Sequence, residues 1–208
     1  ALDEAKANTI QEAMADTKKK EIYLRFMDKS RVAMAGHWDK ANNYVRGIED
    51  YLLTEQYRRP EHQQKVVEDI LDNWIQYSQN NKFHGMFATS SIAEAIEYYR
   101  LFKKLKPELK ITALFDPNID NNENAKFKED GLVEIISDYN NRYGMEFSLA
   151  THAKMKRDIA DRLAHKELYK RVEHAPEKQL ELLIVVDQML TGFDSKWVKT
   201  LYLDKMLE

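Results

Sequence analysis

Residues 83–116 read FHGMFATSSIAEAIEYYRLFKKLKPELKITALFD, and this stretch decides the fold. Its two ends, FHGMFAT and KITALFD, are short apolar segments that predict β-strands. Between them, Ser91 with Glu94 three residues later predicts a capped helix start, and Pro107 ends that helix. A strand, a helix and a strand joined by short links predict a parallel sheet. The apolar residues of the helix recur on one stripe: Ile92, Ala95, Ile96, Tyr99, Phe102 and Leu105.

Two further strands are predicted nearer the C-terminus. LELLIVV, residues 180–186, is apolar on consecutive positions, as expected for a strand buried on both faces. TLYLDK, residues 200–205, predicts the next strand. An insertion at about 117–178 begins as a polar loop and continues as a helix ended by Gly144 and one or two charged helices. We therefore predict an α/β domain over residues 81–208, with a parallel sheet flanked by helices and a helical insertion.

Residues 1–80 are predicted to form a helical lead-in to this domain. Apolar side chains recur at helical spacing from Tyr44 to Leu52, and again after Pro60, which suits the first turn of a helix. The polar segment NNKF, residues 80–83, then punctuates the chain. We place the domain boundary near this segment.

The composition is that of an ordinary globular protein: 43% of the 208 residues are hydrophobic, 32% are charged, and the net charge is −3. This balance argues against bulk electrostatic capture of nucleic acid, although a local groove can still contact phosphates. The absence of cysteine excludes disulfides and fits a reducing cytoplasm. The six histidines show no metal-ligand spacing, so we predict no metal site. No apolar run approaches the ~20 residues that span a bilayer, so we predict no membrane contact.

Ligands of open parallel sheets bind at the carboxyl ends of the strands. Ser90 and Ser91 follow the first predicted strand, where hydroxyls and free helix amides can hold a phosphate. Helix capping alone also accounts for this serine pair, although it uses only one of the two hydroxyls.

The loop after the strand at 180–186 carries a second set of candidate residues. Thr191 can offer a hydroxyl to a phosphate, and Gly192 lets the backbone approach a ligand closely. Asp194 can accept from a ribose hydroxyl or orient a cation. These residues suit a nucleotide or a nucleic-acid backbone, and their chemistry does not select between the two. A plain strand-to-helix turn with a capping aspartate is the alternative interpretation.

A basic helix is predicted within the insertion. It carries Lys154, Lys156, Arg157 and Arg162 and could line a DNA path, although a solvated face has the same pattern.

The segment VVDQMLTGFDSKWVKTLYLDK, residues 185–205, resembles motif V of the type I restriction enzyme R subunit, a superfamily 2 DNA translocase. That family typically shows LLIVV, then L-T-G-F-D-A-P, then a strand ending L-D-K. KFHGMFATSSIAEAIEYYRLFKKL similarly resembles the motif IV segment, and PEHQQKVVEDILDNW resembles the helix that leads into the domain. The resemblance spans roughly residues 57–208. Ser195-Lys196 stands where the family has Ala-Pro.

The resemblance implies a RecA-like (P-loop NTPase-type) fold and a role as the second motor domain of the translocase. It implies nucleotide binding for Gly192 and Asp194, and DNA binding for Ser90, Ser91 and Thr191. The parent protein would hydrolyse ATP with Mg²⁺ to pull double-stranded DNA and would then cut it. Its partners would be the methylase and specificity subunits of a restriction complex.

Parts of such a motor are absent from this sequence. It has no P-loop of the form G-x-x-x-x-G-K-S/T, no D-E-x-H-type segment and no arginine-bearing motif VI. We therefore expect no catalytic residue within the chain, no bound ATP or Mg²⁺, and no activity of the isolated chain. A domain of another superfamily 2 helicase is one alternative. A non-catalytic helical interaction module on an α/β base is another.

Overall fold

The computed structural model describes residues 1–28, 32–52, 54–116, 125–186 and 195–204. The chain separates into two compact units, residues 1–57 and 58–208. Each unit has its own hydrophobic cluster. Among the described residues, the cluster of the first unit contains three buried alanines, whereas that of the second surrounds a sheet and includes large apolar side chains such as Phe87, Phe102 and Ile184.

The first unit combines short helices with a small hairpin. The predicted helix beginning at Tyr44 is wrong, because the chain turns back on itself just before it. The Asp39 carboxylate accepts hydrogen bonds from the backbone N–H groups of Ala41 (2.8 Å) and Asn43 (2.9 Å), and Asn42 adopts a left-handed φ of 62°. The elements are α1 (Ile10–Ala15), α2 (Thr17–Met27), β1 (His37–Trp38), β2 (Tyr44–Val45), a 3-10 turn (Glu49–Tyr51) and α3 (Thr54–Tyr57).

The second unit is built on a four-stranded parallel sheet, which confirms the predicted α/β class. Its strands are β3 (His84–Thr89), β4 (Ile111–Leu114), β5 (Leu182–Val186) and β6 (Val198–Asp204). They lie in the order β4-β5-β3-β6, and every neighbouring pair is parallel. Phe87 in the centre pairs with Ile184 of β5 on one side and Tyr202 of β6 on the other. The two strands of the predicted strand–helix–strand unit are therefore separated by β5.

Four longer helices accompany the sheet. Pro60 occupies the first turn of the helix that leads into the domain, as predicted. Gly144, with a φ of +64°, directly follows the helix that ends at Tyr143, also as predicted. The domain boundary near residue 80 stays a prediction. No helix among the described residues is long and apolar enough to cross a bilayer. The helices are α4 (Pro60–Tyr77), α5 (Ile92–Leu105), α6 (Ala125–Tyr143) and α7 (His152–Ala164), with 3-10 turns at Leu149–Thr151, Glu167–Tyr169, Val172–His174 and Pro176–Lys178.

The core lies on both faces of the central strands. Residues 182–185 of β5 are all fully buried, as their consecutive apolar side chains predict. Phe87 of β3 packs edge-to-face on Tyr98, with ring centroids 4.8 Å apart. Tyr98 lies outside the predicted stripe of α5 and is fully buried, whereas Leu105 of that stripe is 39% exposed. α5 packs against the sheet and also against α4 and α6, so it buries more than one stripe.

Candidate functional site

The candidate site is the edge of the sheet at which the parallel strands end. β3 ends at Thr89 and is followed by Ser90 and Ser91, while β6 ends at Asp204. β5 is the neighbour of β3 and ends at Val186, directly before the loop predicted to bind ligands. The predicted residues Thr191, Gly192 and Asp194 lie outside the described part of the chain. The structure therefore describes two of the five predicted residues, the serine pair.

Ser91 is the N-cap of α5. Its backbone is extended, with a φ of −149°, and its hydroxyl accepts from the Glu94 N–H at 3.2 Å. The predicted capping box is only half formed, because the Glu94 carboxylate accepts from the Ser90 N–H, at 3.1 Å, rather than from that of Ser91. The Ser91 hydroxyl therefore stabilises the helix start.

Ser90 is the more accessible of the two serines. It is exposed, and its hydroxyl makes a long bond of 3.4 Å to the backbone carbonyl of Asp204. Thr89 beside it is fully buried and donates to the Val185 carbonyl at 3.4 Å, which links β3 to β5. Ser90 thus presents an accessible hydroxyl at the edge of the sheet, whereas the Thr89 hydroxyl is buried and bonds to the neighbouring strand.

A hydrogen-bonded group of three side chains closes the end of β6, and the sequence did not predict it. The Asp204 carboxylate contacts His62 Nε2 of α4 at 3.0 Å and accepts from the Tyr98 hydroxyl of α5. Burial raises the pKa of Tyr98, and its bond to Asp204 raises it further. The position of Asp204 at the carboxyl end of a predicted strand could have identified it as a candidate site residue. No local pattern could pair it with His62, which is 142 residues away.

The electrostatics around Ser90 are predominantly acidic. Burial raises the pKa of Glu94 above its ordinary value, and the negative charge of Asp204 raises it as well. The hydrogen bond from the Ser90 N–H and the positive charge of Arg58 act in the opposite direction. Carboxylates repel phosphates, so a phosphate bound at Ser90 needs compensating cations. Arg58 is a cation that already acts on this edge.

The described residues contain no complete site for ATP and Mg²⁺, which the resemblance implies. The full sequence lacks a P-loop. Across residues 1–204, apart from the gaps in the description, no group of three or more His, Cys, Asp or Glu side chains is placed to hold a metal ion.

The predicted basic helix is α7, and one of its four cations is not available to a ligand. Lys154, Lys156 and Arg157 are exposed. Arg162 is only 2% exposed, and its guanidinium donates to the Asp158 carboxylate at 2.9 Å. It also lies against the rings of Tyr143 and Tyr169, 3.8 and 4.3 Å from their centroids. Arg162 is therefore part of the core.

Comparison with known proteins agrees with the resemblance in the sequence. The family model for type I restriction enzyme subunit R domain 3 matches residues 81–208. The type I restriction enzyme SauCOLORF180P endonuclease subunit of Staphylococcus aureus (strain COL) is 35% identical over 150 residues, which cover 68% of this chain and 15% of that protein. The SsaAORF53P endonuclease subunit of Staphylococcus saprophyticus is 30% identical over 152 residues, covering 69% and 16%.

The chain thus spans about 15% of the length of the curated relatives that it matches. The family model covers more than half of the chain and includes all four strands of the sheet with the candidate edge. This match confirms the resemblance carried by LLIVV, LTGFD and LYLDK. The chain belongs to the type I restriction enzyme R subunit family, and it contains that family's domain 3.

Proposed function

We propose that this chain forms the second RecA-like motor domain of an ATP-dependent DNA translocase, within the R subunit of a type I restriction-modification system. The observation that carries the proposal is the adjacency of β3 and β5. The serine pair follows β3, and the segment with Thr191, Gly192 and Asp194 follows β5. Both segments therefore leave the sheet at the same edge, where parallel sheets bind ligands.

In this role the chain contributes one side of a DNA track and part of an ATP cleft. The Ser90 hydroxyl and the Thr191 hydroxyl donate to phosphates of double-stranded DNA. The exposed cations Lys154, Lys156 and Arg157 supply positive charge that the acidic edge lacks. The parent protein, together with methylase and specificity subunits, pulls the DNA and cuts it.

ATP with Mg²⁺ supplies the free energy for this movement when it is bound to the parent protein. Gly192 and Asp194 would hold the nucleotide, because a glycine permits close backbone approach and an aspartate can accept from a ribose hydroxyl. The P-loop and the metal ligands come from other parts of the parent protein, because this sequence has no P-loop. The isolated chain is accordingly inactive as an ATPase and as a nuclease.

The test uses the full-length R subunit in its complex with the methylase and specificity subunits. Asp194→Ala should lower DNA-stimulated ATP hydrolysis by about tenfold or more, the loss expected when a charged hydrogen bond is removed. Asp72→Ala is the matched control, since Asp72 is exposed on α4. Unchanged turnover in Asp194→Ala would remove this aspartate from the cleft and would favour a purely structural role for the loop.

A further inference from the structure

The C-terminal end of α7 contacts residues 195–197, which directly precede β6. The Ser195 hydroxyl donates to the Leu163 carbonyl at 2.7 Å and accepts from the Trp197 N–H at 3.1 Å. Leu163 lies in the last turn of α7, where carbonyls have no partner within the helix. The serine thus completes the helix end and fixes the turn before β6 with the same oxygen.

The His165 ring makes a second contact at this place. It stacks on the Trp197 ring, with centroids 4.0 Å apart and planes 13° apart. His165 is the C-cap of α7 and has a left-handed φ of 50°, a conformation in which glycine is the usual residue. A histidine at this position bears a backbone penalty that its ring contacts offset.

His84, the first residue of β3, anchors the pair. Its Nδ1 lies within hydrogen-bonding distance of the Leu180 carbonyl and must carry the proton there, because a carbonyl can only accept. His84 Nε2 is then the acceptor of the His165 Nε2–H, at 2.9 Å. Burial holds the pKa of His84 at about 4, so the ring is neutral near pH 7. The His84 N–H also donates to the Trp197 carbonyl at 2.9 Å.

We infer that the α7 clamp, formed by the Leu163 carbonyl, His84, His165, Ser195 and Trp197, is a positioning device for residues 195–197, which directly follow Asp194 in the sequence and lead into β6. Val186, directly before residues 187–194, is held in the sheet as the last residue of β5. Ser195, directly after them, is held by the clamp. Ser195 and His165 are positioning residues, because they hold the turn before β6 through Leu163 and Trp197. This inference rests on the proposed motor function, because it assigns the clamp to DNA-coupled ATP turnover.

The clamp also gives the insertion a role. α7 starts at His152, within electrostatic reach of Asp116 after the carboxyl end of β4. It ends at the clamp, beside the first residue of β3. The helix therefore connects the ligand edge to the point where the chain enters β6.

The experiment measures ATP hydrolysis by the full-length R subunit complex, with and without double-stranded DNA. Ser195→Ala and His165→Gly should each lower the DNA-stimulated kcat about fivefold, the effect of losing one ordinary contact, while the DNA-independent rate falls by a smaller factor. Glycine suits a φ of 50°, so His165→Gly removes the stack without straining the helix end. Ser148→Ala is the control, because it removes a hydroxyl from the 3-10 turn just before α7.

A rescue variant separates positioning from general stability. Proline fixes its own φ, so Lys196→Pro can hold the turn that the Ser195 hydroxyl no longer holds. No hydrogen bond between described residues uses the Lys196 N–H. Ser195→Ala with Lys196→Pro should regain most of the DNA-stimulated rate. A serine that serves only overall stability would lower the rates with and without DNA together, and the proline would not restore the coupling.

Wild-type DNA stimulation in both folded single variants would overturn the clamp inference, as would an equal loss of both rates. If Ser195→Ala does not fold, His165→Gly decides alone. Failure of the proposed function has a different signature. In that case the wild-type complex shows no DNA-stimulated hydrolysis, or Asp194→Ala retains it in full.

Discussion

The two edges of the parallel sheet are built from different chemistry. At the amino edge, His84, His165 and Trp197 are in mutual contact, and both histidines are buried. At the carboxyl edge, Ser90 is exposed and Asp204 is held by side chains that come from two helices. The buried contacts at the amino edge thus stabilise the folded protein, whereas the carboxyl edge leaves the Ser90 hydroxyl accessible to a ligand. A change at the first edge should alter the free energy of unfolding, and a change at Ser90 should alter binding.

The largest effect is expected at Arg162, near the amino edge, where its guanidinium donates to the Lys178 carbonyl at 2.5 Å. Arg162→Met leaves the Asp158 carboxylate, 12% exposed, without its cation. The free energy of unfolding should fall by about 3–5 kcal/mol, as for other broken buried ion pairs. Denaturant unfolding of the protein measures this loss. Arg157→Met on the exposed side of the same helix is the control and should change stability by less than about 0.5 kcal/mol.

A pH effect of intermediate size is expected from His84. Its ordinary pKa is 6.5, and burial lowers the pKa to about 4 in the folded protein. As the pH falls below 6.5, the unfolded chain takes up a proton that the folded protein refuses, so the free energy of unfolding decreases until about pH 4. The total change attributable to this group is about 3 kcal/mol.

Denaturant unfolding between pH 7 and pH 4 tests this expectation. His84→Asn should show a flatter pH profile than the wild type, because it has no ring to titrate. His174→Asn, whose side chain is 77% exposed, should keep the wild-type slope. Equal slopes for His84→Asn and the wild type would mean that His84 does not control the acid sensitivity of the amino edge.

The smallest effect on stability is expected at Ser90, and the contrast with Ser91 sharpens the comparison. Ser91→Ala should cost about 1 kcal/mol, because it removes the N-cap of α5. Ser90→Ala should change stability by less than about 0.5 kcal/mol. In the full-length complex, Ser90→Ala should weaken DNA binding about fivefold with an unchanged salt slope, since a hydroxyl releases no counterions. Wild-type DNA affinity in Ser90→Ala would remove Ser90 from the DNA site.

Local signals in the sequence predicted the central elements correctly. β5 was predicted because its consecutive apolar side chains lie within one short segment. The start of α5 was predicted because Ser91 and Glu94 form their bond within a single turn. The helix expected from Tyr44 was wrong, since apolar spacing outweighed the turn chemistry of Asp39 in that prediction. Local sequence patterns thus predicted an element correctly only where no second pattern in the same stretch, such as the turn residues before Tyr44, favoured a different structure.

Contacts between distant segments could not be predicted in this way. Nothing local distinguishes Arg162 from the exposed cations of the same helix, because its burial depends on tyrosines of other segments. The pairing of Asp204 with His62 and of Ser195 with Leu163 likewise requires the packed fold.

The sequence by itself determined that this protein has a parallel α/β sheet, that two polar segments follow its strands and that its motifs resemble the R subunit. Those properties reside in periodicity, caps and short motifs, which act over a few residues. Only the tertiary structure decided that β5 lies between β3 and β4, that Ser90 is exposed beside the Asp204 carbonyl, and that α7 ends against Trp197. These outcomes depend on which side chains are buried against one another, and residues that meet in the core are often far apart in the chain.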